Sequence, residues 1–256
     1  MTPQSDTQTF WEHLDELRAV LLRIIVAAVA AGAAAFCFKD ALFNLVLAPQ
    51  SSDFITYRLL ALVCNALGLD PPALFSVTLI NTGLAEQFTL HIETAMCAGV
   101  LCVSPYILYQ LFRFVSPALY AGERRYAVAI AGSGYVMFML GVLVSYLLIF
   151  PLTFRFLGTY QVANEVANMI TLRSYLSTLL VMCLCLGVVF EMPVLLWLLS
   201  KMGFVSAPVL RKYRRHALVA LLIAAAVITP TSDVFTLLLV ALPMYLLYEL
   251  SILVCR

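Results

Sequence analysis

Charge is what this 256-residue chain has least of. Asp, Glu, Lys and Arg make up 11% of it, where a soluble domain carries roughly 25%. With 63% hydrophobic residues and a mean hydropathy of +1.00, a water-soluble globule is excluded and a multi-pass membrane protein is expected. The net charge is +1, so no field draws nucleic acid. Histidine is also scarce: His13, His91 and His216 fall at different depths and form no HExxH pair. GxSxG and the phosphate-cradling GxxxxGK[ST] are both missing. No Ser–His pair lies at matched depth, so an enzyme ranks behind the transport readings below. The seven cysteines are Cys37, Cys64, Cys97, Cys102, Cys183, Cys185 and Cys255, and all but Cys64 sit in or beside apolar segments. That is no disulfide framework, and the Cys183–Cys185 spacing does not suit zinc. No metal and no cofactor are expected. Repeats and low-complexity tracts are lacking, and the first apolar stretch is too long for a signal-peptide core, so it reads as a retained span.

What is present is a series of six apolar segments, at approximately 19–38, 88–111, 127–150, 172–199, 217–229 and 234–254. The expected fold is all-α: one transmembrane domain over 1–256, with six transmembrane helices and a short final hairpin. Four segments reach the ~20 residues a span needs. The fifth reaches only about 20 Å against a ~30 Å core, and Pro230-Thr231-Ser232-Asp233 turns it tightly into the sixth. Either this hairpin stops short or the bilayer thins around it. The loop from Lys39 to Gln87 is long, with a candidate short helix at 54–67 broken by Asp70-Pro71-Pro72.

Eleven of the fifteen bases lie on one side: Arg18, Arg23, Arg113, Arg124, Arg125, Lys201, Arg211, Lys212, Arg214, Arg215 and Arg256. The positive-inside rule then puts both termini in the cytoplasm. Against that bias, Phe10-Trp11-Glu12-His13-Leu14-Asp15-Glu16-Leu17-Arg18 carries three acids and one base just ahead of the first span. Phe10, Leu14, Leu17 and Leu21 share a helix face. A short amphipathic helix lying at the membrane surface is one reading; an ordinary polar flank is the other.

Glu191 is the conspicuous charge within a span. It lies about 12 Å in from the end of the fourth segment, where an ionisable group costs on the order of 2.5–3.5 kcal/mol unless it meets water or a partner. Pro193 frees a backbone carbonyl beside it. Together they suggest a polar intramembrane cavity, or alternatively a protonated acid tied into the bundle. Glu93 and Glu249 lie near span ends and read as acids reaching for water. Pro105, Pro151 and Pro243 bend or end other helices. A proton-coupled small-solute transporter with Glu191 as carrier is the rival function, although matched interrupted helices are missing.

The order of motifs along the chain resembles the TatC family, the receptor subunit of the twin-arginine protein translocase. His13-Leu14-Asp15-Glu16-Leu17-Arg18 is similar to its HLxELR motif, Ala48-Pro49 to its external loop proline and Pro105-Tyr106-Ile107-Leu108-Tyr109-Gln110 to the exit of its second span. Phe114-Val115-Ser116-Pro117-Ala118-Leu119-Tyr120 and Glu123-Arg124-Arg125 follow in order. Gly141, Tyr146 and Phe150-Pro151 match the third span, Phe190-Glu191-Met192-Pro193 its FExP and Arg211-Lys212-Tyr213-Arg214 its basic loop. Thr229-Pro230, Asp233, Pro243-Met244-Tyr245 and Glu249 match the final hairpin. The resemblance implies a cupped-hand, six-helix protein of the bacterial inner membrane, with both termini inside. It would bind twin-arginine signal peptides and work with TatA- and TatB-type single-span partners, as a homo-oligomer within the complex. It implies signal-peptide binding by Glu16, Arg18, Phe114, Glu123 and Arg124. A partner helix would contact Thr229 and Leu237, the latter standing where some relatives carry glutamine.

Overall fold

The structure is a computed structural model, and it describes residues 10–68, 77–115, 127–160, 168–229 and 233–255. It is helical almost throughout, in agreement with the all-α expectation. Helix α1 spans Phe10–Phe36, followed by α2 (Lys39–Leu47), a 3-10 turn (Ala48–Gln50) and α3 (Ile55–Ala66). The second long helix, α4, is Glu86–Val115. The third is compound: α5 (Ala127–Val144), a π-helical turn (Ser145–Ile149) and α6 (Phe150–Thr159). Helices α7 (Leu172–Phe190) and α8 (Met192–Lys201) make the fourth; α9 (Ala207–Lys212), α10 (Arg214–Ile228) and α11 (Val234–Val254) complete the chain. Strands β1 (Leu79–Ile80) and β2 (Ile170–Thr171) form a two-residue parallel pair that the sequence does not announce.

Among the described residues five helices are long and apolar enough to cross a membrane: Leu14–Phe36, Glu86–Phe114, Ile130–Thr159, Leu172–Lys201 and Val234–Val254. The 15-residue α10 is not among them, in keeping with the short fifth segment. It still pairs with α11. Asp233 starts α11 as its cap, Oδ1 accepting from the Thr236 N–H at 2.6 Å.

One expectation changes at the N-terminus. Among the described residues no separate surface helix precedes the first span, because α1 runs unbroken from Phe10. Between Leu14 and Phe36 there is no proline and a single glycine, Gly32, so nothing breaks the helix at the membrane surface. Its 27 residues reach about 40 Å, more than the ~30 Å core, and the first turns project beyond it.

Apolar solvent gives helices no hydrophobic reason to associate, so close packing and polar links must hold them. Both are present. Helices α1 and α4 cross on bare backbone: a Cβ added to Gly99 would lie 2.4 Å from the Gly32 nitrogen and 2.9 Å from the Ala28 carbonyl oxygen. Helices α5 and α7 meet similarly, where a Cβ on Gly141 would lie 2.6 Å from the Leu186 carbonyl oxygen. The core between them is Phe138, Val142, Leu179, Met182, Leu186 and Phe190.

Proline leaves carbonyls without donors, and hydroxyls reclaim them. Pro105 has no N–H for the Leu101 carbonyl one turn back; Ser104 Oγ donates there at 2.7 Å. Pro151 likewise deprives the Leu147 carbonyl, which takes a hydrogen bond from Thr56 Oγ1 on α3 instead. That bond helps seat α3 on the third span. The Tyr57 hydroxyl lies 3.1 Å from the carbonyl oxygens of both Pro49 and Pro151. Tyr175 and Tyr146 donate to the carbonyls of Val46 and Leu45, at 3.1 and 2.5 Å. The segment from α2 to α3 is therefore a cap fixed to the third and fourth spans by side-chain-to-backbone bonds. Burial also raises the Tyr57 hydroxyl well above the usual tyrosine range, so it keeps its proton for those carbonyls.

Candidate functional site

The candidate residues divide between the two ends of the bundle and its middle. Glu16 and Arg18 are exposed on the first turns of α1, next to Trp11, which is 74% exposed. Helices α1 and α4 are antiparallel neighbours fixed at the Gly32–Gly99 crossing. Glu16 lies sixteen residues before that point and Phe114 fifteen after it, about 24 and 22 Å along their helices. The packing therefore brings Glu16 and Phe114 to the same end. Phe114 is half-buried there. Glu123 and Arg124 lie outside the described residues, as does Arg125.

The same end carries the exposed bases Lys201, Arg211, Lys212, Arg214 and Arg215. Arg214 Nη2 donates to Glu249 Oε2 at 2.6 Å, and the Tyr245 hydroxyl donates to Glu249 Oε1 at 3.0 Å. The Tyr248 hydroxyl donates to the Leu210 carbonyl at 2.8 Å. Glu249, expected to reach for water, instead joins the start of α10 to the end of α11. Glu93 also has a cation, Arg173 at 3.8 Å, but both side chains are half open to solvent and such a pair contributes little.

Glu191 occupies the joint between α7 and α8. Helix α7 ends at Phe190, the Glu191 N–H closes onto the Val188 carbonyl at 3.1 Å, and Pro193 stands in the first turn of α8. Pro193 is buried. Glu191 itself is 5% exposed, and neither carboxylate oxygen has a hydrogen-bond partner. Its oxygens lie against bare backbone: a Cβ on Gly134 of α5 would stand 3.0 Å from Oε2 and 2.9 Å from the Phe112 ring. Phe112, Gly134 and Glu191 thus bring three spans together. Leaving a carboxyl group there without a partner costs several kcal/mol. The sequence marks Glu191 and Pro193, but not Gly134; only a missing side chain opposite an acid signals that contact.

Thr229, at the end of α10, is buried and its hydroxyl turns back on the Ala225 carbonyl at 3.0 Å. Leu237 is half-buried on α11. Pro49 is buried in the cap, inside the 3-10 turn, with its carbonyl near Tyr57. Among the described residues, no three His, Cys, Asp or Glu side chains gather to hold a metal.

The model of the family described as "Sec-independent protein translocase protein (TatC)" matches residues 12–243. Among curated proteins, the chain is 32% identical to TatC of Blattabacterium sp. subsp. Periplaneta americana over 98% of this chain and 96% of that one. It is 33% identical to TatC of Escherichia coli strain K12, over 98% and 89%. It also superposes on a crystal structure described as the twin arginine translocase receptor TatC with a TM-score of 0.76 at 31% identity, covering 95% of this chain and 98% of that one. A second, of the same receptor in DDM, gives 0.79 at 30% identity, over 96% and 100%. The transporter reading of Glu191 finds no support in these likenesses. Sequence, fold and length agree, and the chain belongs to the Sec-independent protein translocase TatC family.

Proposed function

We propose that this protein is the receptor and core subunit of a twin-arginine translocase, a non-enzymatic component of the complex. The observation that carries the reading is the likeness to TatC receptor structures along nearly the whole chain, at 31% identity. In this reading one transmembrane domain sits in the bacterial inner membrane with both termini in the cytoplasm, as the eleven bases on that side favour. Folded cargo brings a signal peptide with two consecutive arginines to the end bearing Glu16 and Phe114. Glu16 and Glu123 each take one guanidinium through paired charge-assisted hydrogen bonds. Phe114 offers an apolar contact beside them, and Arg18 and Arg124 orient the acids. The apolar part of the signal then enters the bundle toward Glu191, whose carboxyl group has no hydrogen-bond partner among the described residues. TatA- and TatB-type single-span proteins dock along Thr229 and Leu237, where packing outweighs hydrogen bonding. Several copies of the chain assemble in the complex.

The test is peptide binding to Glu16→Gln, Glu123→Gln and the double variant, at low and high salt. A charge-assisted contact contributes roughly 1.5–3 kcal/mol, and less where water screens it. Each single variant should therefore bind an Arg-Arg peptide about tenfold more weakly. A Lys-Lys peptide should bind the parent poorly, since an ammonium cannot make the bidentate contact. Undiminished Arg-Arg binding by both Gln variants would remove the receptor assignment to these acids.

A further inference from the structure

At the opposite end of the bundle from Glu16, a cavity of about 380 Å³ opens between α2, the start of α4 and the start of α7. Its size is within the ~300–1,000 Å³ of small-molecule sites. Lys39, Phe43, Gln87, Phe88, His91 and Leu172 line it. Asp40 follows Lys39 directly and is exposed, while Glu86 Oε2 accepts from the Gly83 N–H at 3.0 Å and Glu93 faces Arg173. Among the described residues Lys39 has no ion-pair partner.

His91 is the unusual member. It is 8% exposed, and its Nε2 is buried without a hydrogen-bond partner. The ring is held in place, stacked on Phe36 at 3.9 Å and 15°, and set edge-on to Phe43 at 5.6 Å. A buried polar nitrogen fixed so firmly and left unsatisfied is a costly feature for a folded chain. His91 also lines the cavity.

Depth identifies the kind of partner. Lys39 stands just past the end of the first span, and His91 is five residues into the second, which starts at Glu86, about 7 Å down the helix axis. That is the thickness of the interfacial layer, since ~30 Å of hydrocarbon lies within ~40–45 Å of bilayer. The lip carries a cation and an amide donor, the wall the His91 ring, and the flank apolar side chains: Phe88 is 63% exposed and Ile92 42%. An anionic oxygen group at the top with hydrocarbon below is the complement of this arrangement.

We propose that this cavity binds the phosphodiester head group of a phospholipid from the leaflet on this side. Lys39 Nζ and the Gln87 amide approach the phosphate, and His91 Nε2–H donates to a phosphate oxygen from below. The acyl chains descend beside Phe88 and Ile92. Bound in this way, the lipid joins α2, α4 and the start of α7 where the cap meets the bundle.

Native mass spectrometry of the full chain in detergent, titrated with dioleoylphosphatidylglycerol, tests this. The parent should retain one lipid through delipidation. Lys39→Gln and His91→Phe should each weaken retention at least fivefold, the latter keeping the aromatic stack while losing the nitrogen. Arg58→Gln, on the exposed face of α3, should change nothing. Circular dichroism checks that the variants fold, and Lys39→Gln carries the test alone if His91→Phe does not. Dioleoylglycerol, which lacks the phosphate, should be retained at least fivefold more weakly. Equal retention of dioleoylglycerol would make this an acyl groove and overturn the proposal. Displacement of the lipid by millimolar inorganic phosphate would reassign the cavity to the free anion. Undiminished retention by Lys39→Gln would overturn it too.

Discussion

The crossing of α1 and α4 gives the sharpest physical test of how this bundle is held. At Gly99 a methyl group would meet backbone, with the Gly32 nitrogen at 2.4 Å, its Cα at 2.6 Å and the Ala28 oxygen at 2.9 Å. Backbone in a helix cannot rotate away as a side chain can, so Gly99→Ala forces the two helices apart by several tenths of an ångström. Overpacking of this kind costs about 1–3 kcal/mol, partly offset by the gain of up to ~1 kcal/mol in helix propensity. At Gly32 the first obstacle is Met96 Sδ at 2.6 Å, the far part of a flexible side chain, with the Met96 Cα farther off at 3.3 Å. Gly32→Ala should therefore cost less. Gly132 of α5 has nothing within 4 Å, and Gly132→Ala should be neutral or slightly stabilising. The assay is reversible unfolding in mixed lauryl maltoside and dodecyl sulfate micelles, following helix content by circular dichroism. The expected order of destabilisation is Gly99, then Gly32, then Gly132. Equal losses at Gly99 and Gly132 would mean that contact between backbones does not hold this pair. Since the crossing also brings Glu16 and Phe114 to one end, Gly99→Ala should weaken Arg-Arg peptide binding without touching either residue.

Three further outcomes are expected. Glu191→Ala should insert normally and transport poorly, while Gly134→Ala should destabilise the parent and cost less when Glu191 is already Ala, because that removes the carboxylate at 3.0 Å and leaves only the Phe112 ring at 2.9 Å; normal transport by Glu191→Ala would make the residue a tolerated bundle acid. Thr56→Val should cost about 1 kcal/mol by stripping the Leu147 carbonyl of its donor, and should cost much less beside Pro151→Ala, which restores an N–H to that carbonyl; equal costs in the two backgrounds would refute the compensation. An impermeant thiol reagent added outside spheroplasts should label Cys64 on α3 and also Cys37, which is exposed at the turn after α1; labelling of Cys64 only from the cytoplasmic side would reverse the orientation.

The sequence by itself determined the class of this protein, the number of its apolar segments and the family. Those depend on hydropathy, helix length and motif order, all local properties of the chain. It marked Glu191 for the same reason: a carboxylate in an apolar run is conspicuous wherever the run folds. The short fifth helix was legible from counting residues against bilayer thickness. Contacts between distant segments were decided only by the tertiary structure. Thr56 and Pro151 are 95 positions apart in the chain, and nothing local says that the hydroxyl of one replaces the amide missing from the other. Gly134 is one of eleven glycines, distinguished only by the acid opposite it on another helix. Glu249 reads as a solvated end charge until α10 brings Arg214 to within 2.6 Å. His91 reads as one more residue of an apolar helix until Phe36 and Phe43 fix its ring in the wall of a cavity. In a membrane the backbone satisfies itself within each helix, so spans can be read one at a time. Their few polar side chains must find partners on other helices or from outside, and that depends on how the helices pack.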